Sequence, residues 1–150
     1  MTIQWRLKKF EELTPFELYA AIRLRNEVFV VEQNCVFQDA DDKDQECFHL
    51  LGFKNQDLVA YTRLVPPGYI YKEPSIGRVV TSPSVRGTGA GRELMNQSID
   101  SIYRLFGKQT IKIGAQLYLK KLYESLGFIQ SGTGYLEDGI EHIYMLKKYE

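Results

Sequence analysis

Three glycines at alternate positions, flanked by two arginines, stand out in the stretch TSPSVRGTGAGREL, residues 81–94. The glycines are Gly87, Gly89 and Gly91, the arginines are Arg86 and Arg92, and a predicted helix follows. Residues without side chains let backbone N–H groups converge on an anion, and a helix start adds unpaired amides and a positive dipole end. The arginines add charge-assisted hydrogen bonds. The stretch therefore predicts a phosphate-binding loop, with a plain strand-to-helix turn as the alternative.

Two well-known nucleotide loops do not fit this stretch. A Walker loop needs Gly-Lys-Ser/Thr at the helix start, where this chain has Gly91, Arg92 and Glu93. The dinucleotide fingerprint GxGxxG needs a glycine at the position of Arg92. The phosphate that we expect here therefore belongs to another kind of ligand.

The elements that position the loop follow from periodicity and turn residues. The pattern predicts a strand, a helix, three strands, a helix, a strand, a helix and two strands. The predicted strands cover residues 3–10, 49–53, 58–65, 75–82, 110–115, 128–130 and 140–148. We expect an α/β (α+β mixed) fold: a mixed, mostly antiparallel sheet of about seven strands with helices on both faces.

Local signals sharpen several of these boundaries. Thr14, Pro15 and Glu17 form a capping box that begins a helix over residues 13–33, either one long helix or two short ones with a bend. Gly77 predicts a bulge or a close backbone approach within the fourth strand. Asp138 and Gly139 predict the turn between the last two strands.

Length and composition limit the class of protein. The 150 residues suit one domain over residues 1–150, and the 19 basic residues balance the 19 acidic ones, which argues against nucleic acid as a partner. No apolar run approaches the roughly 18 residues of a spanning helix and the N-terminus does not read as a signal peptide, so we expect a cytoplasmic protein without a membrane partner. Cys35 and Cys47 are expected to be reduced thiols, and we expect no metal. A zinc module built on them and His49 is the alternative.

The stretch QDADDKDQE, residues 38–46, is the most acidic part of the chain. It resembles a calcium loop only superficially, because Lys43 and Asp44 stand where such a loop needs other residues. A solvated surface loop is the simpler interpretation, and a rim that attracts a cationic substrate is the other.

The glycine loop matches the pattern Arg/Gln-x-x-Gly-x-Gly/Ala, the acyl-CoA pyrophosphate loop of the GNAT superfamily of N-acetyltransferases. The order of elements over the whole chain is also that of the superfamily. Residues 25–42, 76–95, 114–128 and 137–145 resemble the ElaA-type branch more narrowly.

The resemblance implies an acetyl-CoA site between splayed fourth and fifth strands, which Gly77 could help to open. The main chain of Val79, Val80 and Thr81 would pair with the pantetheine arm, and one of its N–H groups would act as an oxyanion donor, for which we select Val80. The remaining residues expected to contact acetyl-CoA are Arg86, Gly87, Thr88, Gly89, Ala90, Gly91, Arg92, Gln116 and Tyr123.

Transfer of an acetyl group from sulfur to nitrogen requires two proton movements. In the superfamily, the tyrosine that here is Tyr123 lies beside the CoA sulfur and protonates the leaving thiolate; core packing is its alternative role. For the base we expect His142 or Glu32, with water as a further possibility. Arg25, on an otherwise apolar helix face, is expected to orient Glu32 or to contact substrate. Glu32 and His142 are also expected to contact substrate.

The expected activity is therefore acetyl-CoA-dependent N-acetylation of a small-molecule or peptide amine by direct attack in a ternary complex. Arg25, Val28 and Phe29 also resemble a motif of acyl-homoserine-lactone synthases, which leaves a related acyltransferase as one alternative. A non-catalytic acyl-CoA-binding module is another. We expect the final strand to lie at a sheet edge, and pairing through it suggests a homodimer.

Overall fold

The computed structural model describes residues 2–149. Strand β1 covers Gln4–Lys9 and helix α1 covers Pro15–Arg25. The Thr14 hydroxyl accepts from the Glu17 amide, and the Glu17 carboxylate accepts from the Thr14 amide, so the predicted capping box is confirmed.

Helix α1 does not stop at Arg25 but widens into a π-helical segment over Asn26–Glu32. The wider turn shows in amide bonds that reach back five residues, from Gln33 to Val28 at 3.0 Å and from Cys35 to Val30 at 3.1 Å. Such segments change the direction in which side chains leave a helix, and they are frequent at functional sites. In place of the expected single helix or bent pair, the helix continues without a break and changes from α-helical to π-helical geometry at Asn26.

Strands β2 (Phe48–Lys54), β3 (Asp57–Val65) and β4 (Ser75–Thr81) join β1 in a four-stranded antiparallel sheet, in the order β1-β2-β3-β4. Helix α2 (Ala90–Phe106) and α1 cover opposite faces of it. Leu50 and Ala60 pack in the cluster that contains α2, whereas their neighbours Leu51 and Tyr61 pack with α1. This alternation is the one that a pleated strand with two buried faces requires.

The remaining elements are β5 (Ile111–Gln116), α3 (Lys120–Ser125), β6 (Ile129–Glu137) and β7 (Ile140–Lys147). Their strands form a second antiparallel sheet in the order β5-β7-β6. Asp138 and Gly139 make the β6–β7 turn with φ of 50° and 77°, the left-handed pair that a two-residue hairpin favours. The sequence signal marked only the first residues of β6.

The predicted α/β class and strand number are confirmed, with one difference in the sheet. The seven strands form two antiparallel sheets, of four and three strands, that meet between β4 and β5. The Lys112 amide bonds the Pro74 carbonyl at 3.0 Å, while β4 and β5 themselves do not pair. The final strand β7 is central in its sheet, so the edge available for pairing with a second copy is that of β6.

Candidate active site

The gap between β4 and β5 opens into two cavities. One, of about 550 Å³, lies beside the glycine loop and is called the loop cavity. The other, of about 460 Å³, lies between the two sheets and is called the strand cavity. Five residues line both cavities and so mark their junction: Phe29, Gln33, Val79, Gln116 and Tyr123. Two ligands that enter from opposite sides can therefore meet at this point.

A β-bulge in β4 forms one wall of the junction. Tyr61 pairs with Val80 and Arg63 with Gly77, so Arg78 and Val79 together face a single residue of β3. Arg78 takes a left-handed φ of 50°, a conformation that usually requires glycine. The bulge that Gly77 predicted thus begins one residue later and rests on a strained arginine.

The pairing register decides which backbone groups face the gap. The Ser82 amide donates to the Val59 carbonyl at 2.7 Å, so Val59 and Ser82 are a hydrogen-bonded pair. Such pairs recur at every second position of an antiparallel ladder, so Tyr61 and Val80 are the next one. The N–H of Val80 therefore points to β3, and the register does not support Val80 as the oxyanion donor. The amides of Val79 and Thr81 point to the open edge instead.

The glycine loop forms the mouth of the loop cavity. Gly87 and Gly89 have φ of 79° and 86°, and a Cβ added at Gly87, Gly89 or Gly91 would meet no heavy atom within 4 Å beyond its chain neighbours and the local helix backbone. Helix α2 begins directly afterwards at Ala90, so its unpaired amides face the same space. An open concavity of amides at the start of a 17-residue helix is a physical fit for a phosphate group.

Two of the expected loop contacts lie elsewhere. The Thr88 hydroxyl donates to the Val85 carbonyl, so this side chain braces the loop from within. Arg92 is exposed, and neither Thr88 nor Arg92 lines either cavity. Arg86, by contrast, stands at the rim of the loop cavity.

Glu32 and Arg86 form a bidentate ion pair across that rim. The hydrogen bond from Arg86 lowers the pKa of Glu32 below its ordinary value. A carboxylate that is bound to an arginine at the rim is a poor proton acceptor, so this geometry does not favour Glu32 as the base. Arg25 does not orient Glu32.

Tyr123 extends from α3 to the junction and is 4% exposed. Within residues 2–149 no hydrogen bond contributes to the pKa of its hydroxyl, and burial raises that pKa far above the ordinary value of 10. The hydroxyl therefore stays protonated and is available to a ligand at the junction. Its ring also packs edge-on against Phe128, so the residue has a packing role as well.

Gln116 and Gln33 pair through their amide groups, at 3.2 Å and 3.4 Å, at the same junction. Gln33 directly follows the π-helical segment, which directs it across the gap towards β5. No local sequence pattern predicts this contact, because it joins residues 83 positions apart.

His142 lies on β7 in a row with Gln116 and Tyr135, its partners on either side. It is 6% exposed and lines the strand cavity. Its Nδ1 lies 2.8 Å from the Ile140 carbonyl, which can only accept, so Nδ1 carries a proton and, in the neutral ring, Nε2 holds the free lone pair. Nε2 lies 3.6 Å from a carboxylate oxygen of Glu137. This tautomer can take a proton from a ligand in the cavity.

The acidic loop, residues 38–46, is largely exposed, but it is more than a solvated surface loop, because three of its aspartates enter a closed ring of ion pairs. The ring alternates arginine and aspartate in the order Arg25, Asp39, Arg78, Asp41, Arg63 and Asp44, and returns to Arg25. Its contacts range from 2.6 Å to 3.3 Å. We call this set the arginine–aspartate ring.

The ring ties the acidic loop to α1, β3 and the bulge in β4. Arg25 is 1% exposed, binds Asp39 and Asp44, and lines neither cavity, so the structure gives it a structural role in place of the expected substrate contact. Burial opposes ionisation of Asp41, but hydrogen bonds from Arg63 and the charge of Arg78 still lower its pKa to about 2. Asp41 is therefore ionised at neutral pH.

The cysteines and His49 do not form a metal site. Burial raises the pKa of Cys47 to about 11, and His49 is held between the Tyr61 hydroxyl at 2.6 Å and the Asp44 carbonyl at 2.9 Å. Cys35 lies apart and donates to the Asp138 carbonyl. Within residues 2–149, no group of three metal-ligating side chains comes together. None of the helices in the same range is long and apolar enough to cross a bilayer.

Comparison with known proteins shows that the chain belongs to an acyltransferase family. The acetyltransferase (GNAT) domain family matches residues 26–149, and the chain belongs to this family. Protein ElaA of Escherichia coli is 39% identical over 148 residues, which cover 97% of each chain.

Solved structures give the same result. The crystal structure of Escherichia coli ElaA matches with a TM-score of 0.90 and 38% identity, over 97% of this chain and 99% of that one. An acyl-CoA N-acyltransferase from Pseudomonas aeruginosa matches with a TM-score of 0.93 and 38% identity, over the same shares. The AHL synthase LasI shares the fold alone, with a TM-score of 0.81 and 13% identity, over 97% of this chain and 89% of that one.

Proposed function

We propose that the protein is an acetyl-CoA-dependent N-acetyltransferase that acetylates a primary amine by direct attack in a ternary complex. The observation that carries this proposal is the junction, where Val79 and Tyr123 face both cavities. A donor in the loop cavity and an acceptor in the strand cavity can react there without a covalent enzyme intermediate.

The donor would be held by groups that the structure leaves open. The amides around Gly87, Gly89, Ala90 and Gly91 would bind the diphosphate, with Arg86 released from Glu32 to assist. Acetyl-CoA supplies the activated thioester. The free edge of β4 offers the Val79 and Thr81 amides to the pantetheine arm and to the oxygen on which negative charge develops.

Two side chains would move the protons. His142 Nε2 accepts a proton from the incoming ammonium, because its other ring nitrogen is committed to the Ile140 carbonyl. The Tyr123 hydroxyl donates to the departing sulfur, since burial keeps it protonated. Gln116 and Gln33 would border the reacting groups.

The same evidence bears on the alternatives. A non-catalytic acyl-CoA-binding module would not need an unpaired tyrosine hydroxyl and an imidazole lone pair on the two sides of one junction. An acyl-carrier-dependent synthase would need a basic docking surface, for which the balanced charge of the chain gives no support. We also propose a cytoplasmic location, no nucleic-acid or membrane partner, and a possible homodimer through the edge of β6.

The test is a thiol-release assay with acetyl-CoA and a panel of primary amines, with the N-acetyl product identified by mass spectrometry. The wild type should release CoA only with an amine present, and the Gly89→Asp variant should not, because the new side chain brings bulk and negative charge to the loop. Transfer from an acyl-carrier-protein thioester but not from acetyl-CoA would favour the synthase. Acetyl-CoA binding without transfer to any amine would favour the binding module.

A further inference from the structure

The strand cavity carries its charged groups on opposite walls. Glu137 and Asp138, at the β6–β7 turn, line the wall of the second sheet. Lys43, Arg63 and Arg78 line the wall of the first sheet and the acidic loop, together with the single carboxylate of Asp41. One wall thus has an excess of negative charge and the other an excess of positive charge.

The negative wall adjoins the residue that would accept the proton. Glu137 lies 3.6 Å from His142 Nε2, while its side chain is 58% exposed and has no other ion pair among the described residues. His142 itself is nine-tenths buried, and its Nε2 has no hydrogen-bond partner in that range. An ammonium group that approaches both from the cavity gains an opposite charge and meets a lone pair. The amine of the acceptor therefore belongs at this wall.

Two members of the positive wall, Arg63 and Arg78, belong to the arginine–aspartate ring. The charge of the ring differs between the side that lines the cavity and the side that does not. Asp39 and Asp44 pair with the arginines but do not line the cavity, whereas Arg63 and Arg78 do. Lys43 stands beside them, exposed and outside the ring. A ligand in the cavity thus meets more cationic than anionic groups at this end.

Aromatic and aliphatic side chains separate the two charged walls. Phe29, Phe37, Tyr71, Tyr135 and Ile140 line the space between them. A cavity of about 460 Å³ has the size of a small-molecule site. It suits a compact apolar or aromatic body better than a second charge in the middle.

We infer that the acceptor is a small dipolar amine, in which an apolar or aromatic spacer separates a primary amine from a carboxylate or similar anion. This inference rests on the proposed N-acetyltransferase activity and names its substrate class. An α-amino acid fits poorly, because its carboxylate would lie next to Glu137 and Asp138. A diamine fits poorly as well, because its second ammonium would face Lys43, Arg63 and Arg78.

Four amines with one aromatic skeleton test the inference. They are 4-(aminomethyl)benzoate, benzylamine, 1,4-bis(aminomethyl)benzene and phenylglycine. The distal carboxylate should raise kcat/KM about tenfold over benzylamine, and the distal ammonium and the α-carboxylate should each lower it by a similar factor. Benzylamine equal to or better than 4-(aminomethyl)benzoate, or the diamine or phenylglycine as the best acceptor, would overturn the inference.

Two variants with matched controls assign the walls. Lys43→Met should lower kcat/KM for 4-(aminomethyl)benzoate more than for benzylamine, so that much of the preference is lost. Lys148→Met, outside both cavities, should keep the preference. Glu137→Gln should lower kcat/KM for all the amines, mainly through KM, and leave their order unchanged. Glu141→Gln, near the start of β7 but outside both cavities, should have no such effect.

Failure of the inference and failure of the proposed function give different results. If acetyl-CoA is consumed with another class of amine, the acceptor class is wrong and the N-acetyltransferase proposal stands. If none of the four amines is acetylated, the acceptor class is overturned, and calorimetry with acetyl-CoA then shows separately whether the donor site is as proposed. An unchanged preference in Lys43→Met would contradict the role of the positive wall.

Discussion

Arg78 Nε lies 2.9 Å from Asp39 Oδ1, while the backbone of Arg78 is left-handed with φ of 50°. The side chain that holds this contact thus belongs to the residue that creates the bulge in β4. A non-glycine residue in this conformation costs free energy and persists where its surroundings fix it. The acidic loop supplies that constraint, and the next residue along is Val79 at the junction.

Replacement of Asp39 should destabilise the fold strongly. Asp39→Asn leaves Arg25 and Arg78 without their shared partner, and a buried ion pair that loses one member typically costs about 3–5 kcal/mol. Urea denaturation followed by circular dichroism measures this change. The control is Asp42→Asn, an exposed residue of the same loop, which should change the free energy of unfolding by less than about 0.5 kcal/mol. Equal effects of the two variants would contradict the role of the ring.

Acid should weaken the same ring. The folded pKa of Asp41 is about 2, below the ordinary value of 3.8, so folding favours its ionised form. The stabilisation is complete above the unfolded pKa and is lost as the pH falls from about 4 towards 2. The free energy of unfolding should therefore decline over that window, and the decline should be shallower in Asp41→Asn. A parallel decline in both proteins would count against the assignment.

Removal of the Glu32 carboxylate should strengthen acetyl-CoA binding. Glu32 competes with a diphosphate for Arg86, so Glu32→Gln should lower the Kd roughly threefold, in keeping with the modest strength of exposed ion pairs. Isothermal titration calorimetry measures the change. Glu27→Gln provides the control, because Glu27 pairs with Arg23 on the same helical stretch and lines neither cavity. A higher Kd for Glu32→Gln would mean that Glu32 assists binding.

Loss of the Tyr123 hydroxyl should affect chemistry and leave binding unchanged. Tyr123→Phe should reduce kcat about 100-fold, the scale of a general acid, with the Kd for acetyl-CoA within about twofold of the wild type. Tyr103→Phe, a tyrosine of α2 outside both cavities, should leave both quantities unchanged. Retention of full turnover by Tyr123→Phe across the pH range would refute the proton-donor role.

Much of the fold and the position of the glycine loop could be predicted because the signals are local. The capping box of Thr14 and Glu17, the turn at Asp138 and the glycine loop each lie within a few residues, and each was found where predicted. The junction of the two cavities depends on contacts between residues that are distant in the sequence. Gln33 meets Gln116 across 83 positions, which no local pattern records.

The acidic loop is a second case in which contacts between distant residues could not be predicted from the sequence. Its charge predicts solvent exposure, which most of the loop has, but three arginines from α1, β3 and β4 pair with Asp39, Asp41 and Asp44. The bulge was placed one residue early because Arg78, rather than a glycine, carries the positive φ. The ion pairs of Arg78 with Asp39 and Asp41, which hold the bulge at this residue, are visible only in the structure.

The most direct test of the central claim is calorimetric titration of the wild type with acetyl-CoA, beside S-acetylpantetheine, which has the thioester arm but no diphosphate. The glycine loop predicts micromolar binding of acetyl-CoA, about −8 kcal/mol, and much weaker binding of S-acetylpantetheine. Equal affinity for the two ligands, or no binding of acetyl-CoA, would mean that Gly87, Gly89 and Gly91 only shape a turn, and the acyltransfer account of the junction would be contradicted.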